Sequence, residues 1–261
     1  LPHRYSNMYS KLWLLSFPDC LRVVVSSANM CYHDWHSYTQ VIWIQDFPKR
    51  RSSSASPANN SSNTVTTTTT DCHFRDELIN FWNISTLGIP SKWIDQYDFS
   101  GAKAHLVTSV PGYHSGLDLN KYGHMRIRSL LKRNVFSTPL EKQPLSSCYF
   151  QASSIGALDM KWLEEVGASC FIHVPETRAR NGLKIVFPSE STVKQSKLGA
   201  RGAGMIILRK DTYLSPKFPK HLLCDYNSNQ YSQDGHLAHS KIFVHCDSSH
   251  TAQWMYIGSH N

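Results

Sequence analysis

The chain has 261 residues, 41% of them hydrophobic, which is enough for one large α/β domain or two smaller ones. Its net charge of +8 favours an anionic partner such as nucleic acid, and no apolar run reaches the roughly 18 residues that a membrane span needs. The seven cysteines are scattered and never spaced C-x-x-C, so the sequence indicates neither a zinc site nor a disulfide framework and suits a reducing compartment.

Strands and helices are predicted to alternate along the chain. Short apolar or β-branched runs bounded by turn residues predict strands at 21–25, 41–44, 104–109, 183–187, 204–208, 241–245 and 254–258. Helical spacing of apolar residues predicts helices over 76–82, 91–97 and 123–132. This alternation is typical of a layered α/β architecture.

A polar run interrupts the pattern after the second predicted strand. It begins with Lys-Arg-Arg at 49–51 and continues with serines, asparagines and five consecutive threonines. Such a composition cannot bury enough apolar surface to offset the entropy lost on folding. We therefore expect a disordered insertion over 49–73, with order resuming near Phe74.

An internal repeat is the strongest signal in the sequence. The motif Tyr-Ser-Lys ends at Lys11 and the motif His-Ser-Lys ends at Lys241; a strand and then an asparagine, Asn29 or Asn261, follow each motif. Eighteen residues lead from lysine to asparagine in the first copy and twenty in the second. Two copies at matching spacing are hard to attribute to chance.

The repeat predicts a pocket with two cations. Side chains two residues apart on a strand share a face, so Tyr9 projects with Lys11 and His239 projects with Lys241. If each asparagine returns beside its lysine, two facing copies form a pocket with no carboxylate in the motif itself. Such a pocket suits phosphoryl transfer, because the equatorial oxygens of the transition state need fixed donors.

A Tyr-x-Lys and a His-x-Lys, each with a downstream Asn, resemble the duplicated His-x-Lys motif of the phospholipase D superfamily, and Asn in place of the commoner Asp resembles its tyrosyl-DNA phosphodiesterase branch. Further segments follow the order of that branch: LRVVVSSAN at 21–29, DWH at 34–36, GHMR at 123–126, QASSIG at 151–156 and KIVFPS at 184–189. The resemblance implies a phospholipase D-like α/β fold of two similar lobes, at 1–135 and 136–261. Each lobe would hold a mixed sheet flanked by helices, with the active site between the lobes.

The resemblance also implies a chemistry, namely hydrolysis of the tyrosyl adducts that topoisomerase I leaves on DNA 3′ ends, through a phospho-enzyme intermediate and without a cofactor or metal ion. The implied partner is a single-stranded or duplex DNA 3′ end carrying a tyrosyl peptide, bound by a nuclear monomer with no membrane contact. His239 matches the general acid and base, Gln40 a polar residue of the family site, and Ser154 a contact to the DNA backbone. Four residues match ligands of the phosphoryl oxygens: Lys11, Lys241, Asn29 and Asn261.

One departure from the family pattern lies at the nucleophile. The attacking histidine of the family falls on Tyr9, whose phenol ordinarily stays protonated near neutral pH and whose oxygen lies farther from the backbone than an imidazole nitrogen. We expect this change to impair attack on phosphorus. The family also implies a further acidic site residue and strands beyond Asn261. Three functions stay open: the phosphodiesterase, a non-catalytic module that binds DNA ends, and a lipid-cleaving phospholipase D, against which both asparagines and the basic charge argue.

Overall fold

The computed structural model describes residues 8–51, 69–86, 88–133, 147–170, 182–226 and 235–260. The strands are β1 (Leu12–Ser16), β2 (Cys20–Ser26), β3 (Tyr38–Thr39), β4 (Ile42–Pro48), β5 (Ser147–Gln151), β6 (Ser154–Ile155), β7 (Leu183–Val186), β8 (Ile207–Leu208), β9 (Leu223–Cys224), β10 (Leu237–Ala238), β11 (Lys241–Cys246) and β12 (Ala252–Gly258). The α-helices are α1 (Tyr32–Ser37), α2 (Thr69–Ser85), α3 (Gly123–Lys132), α4 (Met160–Cys170), α5 (Glu190–Gln195) and α6 (Lys210–Leu214). Within the described ranges, no helix is long and apolar enough to cross a membrane.

The first half of the chain forms an antiparallel sheet in the order β1-β2-β4. Leu21 and Val23 of β2 are fully buried, whereas Arg22 between them points away and pairs with Asp46 of β4 at 2.7 Å. This alternation is that of a strand with one face on the core. The buried face packs on aromatic and aliphatic side chains from β4, α2 and the segment that follows α2: Phe47, Phe74, Leu78, Ile94, Tyr97 and Phe99.

The second half forms a five-stranded mixed sheet in the order β12-β11-β5-β7-β9. Strands β5, β7 and β9 run parallel, and β11 is antiparallel to both β5 and β12. Its core joins Ile185 and Phe243 of the sheet to Leu163 and Val166 of α4. The central strand β5 and helix α4 were not among the predicted elements.

Helix α3 contacts both halves of the molecule. Its Leu131 lies in the core of the second sheet, while Arg126 pairs with Glu77 of α2 through Nη2 and Oε1, 3.2 Å apart. Burial raises the pKa of Glu77 above its ordinary value, against the opposing effect of Arg126. The predicted boundary between the two lobes at residue 135 stays a prediction. Helix α3 lies before that boundary in the chain but packs against both halves of the molecule.

Three predicted elements differ from the structure. Residues 104–109 form no strand and instead line a cavity of about 300 Å³, which Leu12 of β1 also lines. Of the strand predicted at 204–208, Ile207–Leu208 forms and the preceding Gly199–Met205 is a 3-10 helix, since its glycines and alanines offer no strand-forming side chains. Helix α2 begins at Thr69, before the expected Phe74, and residues 52–68 lie outside the described ranges.

The two halves are joined by a short parallel pair of strands. In the register of β3 and β10, Tyr38 lies opposite Leu237 and Thr39 opposite Ala238. Tyr38 and Leu237 are buried with Ile206 in a small separate core, and the Tyr38 hydroxyl donates to the Gly202 carbonyl at 3.2 Å. This junction immediately precedes His239 and therefore sets the position of the second motif.

Replacing Leu237 with alanine should destabilise this junction. Leu237 is 2% exposed, so its removal leaves a cavity, and we expect a loss of about 2 to 4 kcal/mol in the free energy of unfolding. Urea denaturation followed by circular dichroism measures it. The same change at Leu214, which is 57% exposed, is the matched control and should cost under about 0.5 kcal/mol; equal losses at both positions would contradict the packing described.

Candidate active site

The two copies of the repeat have the same backbone geometry. Lys11 lies opposite Ser26, whose amide donates to the Lys11 carbonyl at 3.1 Å, and Lys241 lies opposite Gly258 in the β11–β12 pair. Asn29 follows Ser26 by three residues, and the sequence gives the same spacing after Gly258. The repeat seen in the sequence is therefore a structural repeat.

Both lysine side chains fold back onto their own strands. The Lys11 ammonium donates to the Tyr9 carbonyl at 3.0 Å, and the Lys241 ammonium donates to the His239 carbonyl at 2.6 Å. Each cation is thus held by the main chain of the residue two positions earlier. Lys241 is 3% exposed, so the second copy lies deeper than the first.

The imidazole of His239 is held by contacts with the first half of the chain. Its backbone amide donates to the Thr39 carbonyl at 2.9 Å, and its Nδ1 lies 3.2 Å from Gln40 Oε1. That oxygen also accepts from the Ser27 hydroxyl at 2.8 Å, while Gln40 Nε2 donates to the Asp34 carbonyl at 2.9 Å. Because Gln40 Oε1 can only accept, Nδ1 carries the proton and Nε2 keeps its lone pair.

A buried carboxylate, Asp34, lies at the centre of these contacts and was not among the predicted site residues. Its Oδ2 accepts from both the backbone amide and the Nδ2 of Asn29, each at 2.7 Å, and lies 3.8 Å from His239 Nδ1. Burial opposes ionisation of Asp34, but the hydrogen bonds from Asn29 hold its pKa below the ordinary value. The Asp-Trp-His segment at 34–36 matches the family pattern in the sequence, but no spacing in the sequence indicates that its aspartate lies beside the repeated motifs.

The two motif lysines share one electrostatic environment. Burial, with repulsion from Lys11, lowers the pKa of Lys241 to about 7, and Asp34 acts in the opposite direction. Burial also lowers the pKa of Lys11, again against Asp34. Since the charge of Lys11 acts on Lys241 and the same carboxylate acts on both, the two ammonium groups belong to one charged cluster.

The imidazole is neutral in this cluster. Burial, followed by repulsion from Lys241, lowers the pKa of His239 to about 4, against an opposing effect of Asp34. Near neutral pH the site therefore holds a neutral imidazole beside two lysines that repel each other. A negatively charged ligand would relieve this repulsion and favour protonation of both buried bases.

Three further predicted site residues are Tyr9, Ser154 and Asn261. Tyr9 is 51% exposed, and its ring centroid lies 5.9 Å from the Lys11 ammonium. Ser154 lies on β6 opposite Ile207 of β8, so its contact with DNA stays a prediction. Asn261 lies outside the described residues. Across the described ranges, no three His, Cys, Asp or Glu side chains group closely enough to hold a metal ion.

Comparisons with known proteins agree with this geometry. The sequence model of the tyrosyl-DNA phosphodiesterase family matches residues 1–261. Tyrosyl-DNA phosphodiesterase 1 of Arabidopsis thaliana is 29% identical over the whole chain, which covers 43% of that protein, and the Drosophila melanogaster protein of the same name is 25% identical, with 45% covered. The crystal structure of the yeast tyrosyl-DNA phosphodiesterase superposes with a TM-score of 0.70 at 18% identity, covering 99% of this chain and 64% of that one.

The chain belongs to the tyrosyl-DNA phosphodiesterase family, and its sheets flanked by helices have the phospholipase D-like fold that the sequence predicted. The five-stranded sheet is mixed as expected, whereas the sheet of the first half is antiparallel. The chain spans about half the length of the curated relatives it matches.

Replacing Lys241 with methionine should stabilise the protein. A buried ammonium costs free energy that an apolar side chain of similar size does not, so we expect a gain of about 1 to 4 kcal/mol in the free energy of unfolding. The pKa of Lys241 is lower in the folded chain than in the unfolded chain, so wild-type stability rises with pH from about 7 towards 10. The gain should therefore be largest below about pH 7 and shrink above it.

Urea denaturation across this pH range measures the difference between the two proteins. The exposed Lys217, replaced by methionine, is the matched control and should change the free energy of unfolding by under about 0.5 kcal/mol. A gain for Lys241→Met that is constant from acid to alkaline pH would contradict the burial of a titrating ammonium.

Proposed function

We propose that this member of the tyrosyl-DNA phosphodiesterase family binds the 3′-phosphotyrosyl end of DNA and hydrolyses its phosphodiester, with a rate limited by Tyr9. One observation carries the proposal: two motif lysines, an asparagine amide and a buried imidazole form one cluster whose positive charges repel each other. Relief of this repulsion by a phosphoryl group supplies binding free energy, and the net charge of +8 suits a nucleic acid strand around it.

His239 is suited to move the proton in this reaction. With Nδ1 directed to Gln40 Oε1, the other ring nitrogen, Nε2, is the one that exchanges protons. A bound phosphoryl anion raises the pKa of the imidazole, so Nε2 takes up a proton. It donates this proton to the tyrosyl oxygen of the substrate as the bond between that oxygen and phosphorus breaks, while the Tyr9 oxygen, its own proton released to solvent, bonds to phosphorus. In the second step, Nε2 takes a proton from water while the water oxygen bonds to phosphorus and releases the enzyme nucleophile.

The nucleophile is the weak element of this scheme. A phenol at residue 9 must lose its proton and reach phosphorus in line with the leaving oxygen. The Lys11 ammonium contacts the carbonyl of Tyr9 at 3.0 Å, and it lies 5.9 Å from the ring centroid. The half-exposed phenol of Tyr9 in place of an imidazole favours a second candidate, a non-catalytic homologue that binds DNA ends and does not turn over.

Binding of a single-stranded 3′-phosphotyrosyl oligonucleotide should weaken steeply with salt. Each phosphate neutralised on a single strand contributes about 0.7 to the slope of log affinity against log salt. Lys241→Met should lower that slope by about this amount, measured by fluorescence anisotropy near pH 6, where the lysine is charged. Lys217→Met is the control at an exposed position; a slope equal to that of wild type for Lys241→Met would remove this lysine from the phosphate site.

Replacing Tyr9 with histidine should increase hydrolysis of the same oligonucleotide by about 100-fold or more, because an imidazole is the better phosphoryl nucleophile at neutral pH. Product release followed by gel electrophoresis measures it. Tyr113→His, at a residue 91% exposed, is the matched control and should leave the rate unchanged.

The Tyr9→Phe variant separates the two candidates. Wild-type turnover that Tyr9→Phe abolishes establishes a tyrosine nucleophile, and turnover confined to Tyr9→His establishes a degenerate binding protein. Tight binding with no turnover by wild type or Tyr9→His would contradict the phosphodiesterase.

A further inference from the structure

The contacts of Asp34 connect residues from both halves of the site. Through Oδ2 it holds the backbone amide and the Nδ2 of Asn29, each at 2.7 Å. Through its main-chain carbonyl it holds Gln40 Nε2 at 2.9 Å, and Gln40 Oε1 contacts His239 Nδ1. The two carboxamides and the imidazole of the site are therefore all positioned relative to this one residue.

The hydrogen bond to Asn29 has a directional consequence. A carboxamide nitrogen carries two N–H groups, and Asp34 occupies one of them. The second N–H then has a fixed direction, so it is available to a phosphoryl oxygen without a loss of side-chain freedom on binding. An asparagine without this anchor would rotate freely at its exposed position.

The charge of Asp34 has a separate consequence. The negative charge of this carboxylate acts to raise the pKa of four nearby side chains: Lys11, Lys241, His239 and Tyr38. Asp34 opposes the effect of burial on both lysines and on His239. Its ionised form therefore offsets part of the effect of burial on these three bases.

We propose that Asp34 is the positioning residue of this site: its buried carboxylate fixes the Asn29 amide towards the phosphoryl oxygens and places a negative charge beside the buried bases of the cluster. The identity of the ligand in this inference rests on the proposed function, whereas the effect of the Asp34 charge on the lysines can be measured in the protein without a ligand. In a purely structural role, Asp34 would only hold the turn at Asn29. That role needs the hydrogen bonds of Asp34 but not its negative charge.

Asp34→Asn separates charge from hydrogen bonding, because the asparagine oxygen still accepts from Asn29. In the full 261-residue chain with ¹³C-labelled lysine, the Lys241 titration should move from its wild-type midpoint near pH 7 to a lower pH. Asp46→Asn, at an exposed carboxylate paired with Arg22, is the matched control and should leave the Lys241 titration unchanged.

Asp34→Glu tests the geometry with the charge retained. In this variant the midpoint of the Lys241 titration should stay near that of wild type. Its affinity for the 3′-phosphotyrosyl oligonucleotide should fall about tenfold, because the longer side chain displaces the Asn29 amide. This variant also decides the question if Asp34→Asn fails to fold. Wild-type affinity in Asp34→Glu, or an unshifted lysine titration in folded Asp34→Asn, would overturn the proposal. A wild-type chain that does not bind the oligonucleotide at all would instead refute the proposed function and leave the titration result standing.

Discussion

The Thr39 carbonyl holds the two halves of the site together. It accepts from the backbone amides of His239 and Ser240, at 2.9 and 3.1 Å, at the point where β3 and β10 pair. The motif lysines lie near opposite ends of the chain, so this local register determines whether they share a pocket. A slip of one residue would turn His239 to the other face of its strand and separate it from Gln40. The small core of Tyr38, Ile206 and Leu237 makes such a slip costly.

Much of this arrangement could be predicted from local patterns in the sequence. The duplicated lysine and asparagine spacing predicted two equivalent strand pairs, and the structure places Lys11 opposite Ser26 and Lys241 opposite Gly258. The strand predicted at 21–25 and the helix predicted over 123–132 are confirmed, because each has a clear period of apolar residues. Roles in catalysis and DNA contact, including that of Ser154, remain predictions.

Long-range contacts could not be predicted in this way. Asp34 reaches His239 across the junction, and it has no counterpart in the repeat that would single it out. The run at 104–109 has the composition of a strand, but composition does not supply a partner for its hydrogen bonds. The 3-10 helix Gly199–Met205 is rich in glycine and alanine, and its fold depends on packing against Leu237, which no local period reveals.

Each motif lysine donates to the main-chain carbonyl of the residue two positions earlier, so the placement of the cation and the identity of that earlier side chain are independent of each other. A carbonyl belongs to the main chain, so the placement of the cation does not require any particular side chain at the preceding motif position. The side chains at residues 9 and 239 can therefore differ, as a phenol and an imidazole do here, while the ammonium group two residues later keeps the same main-chain anchor.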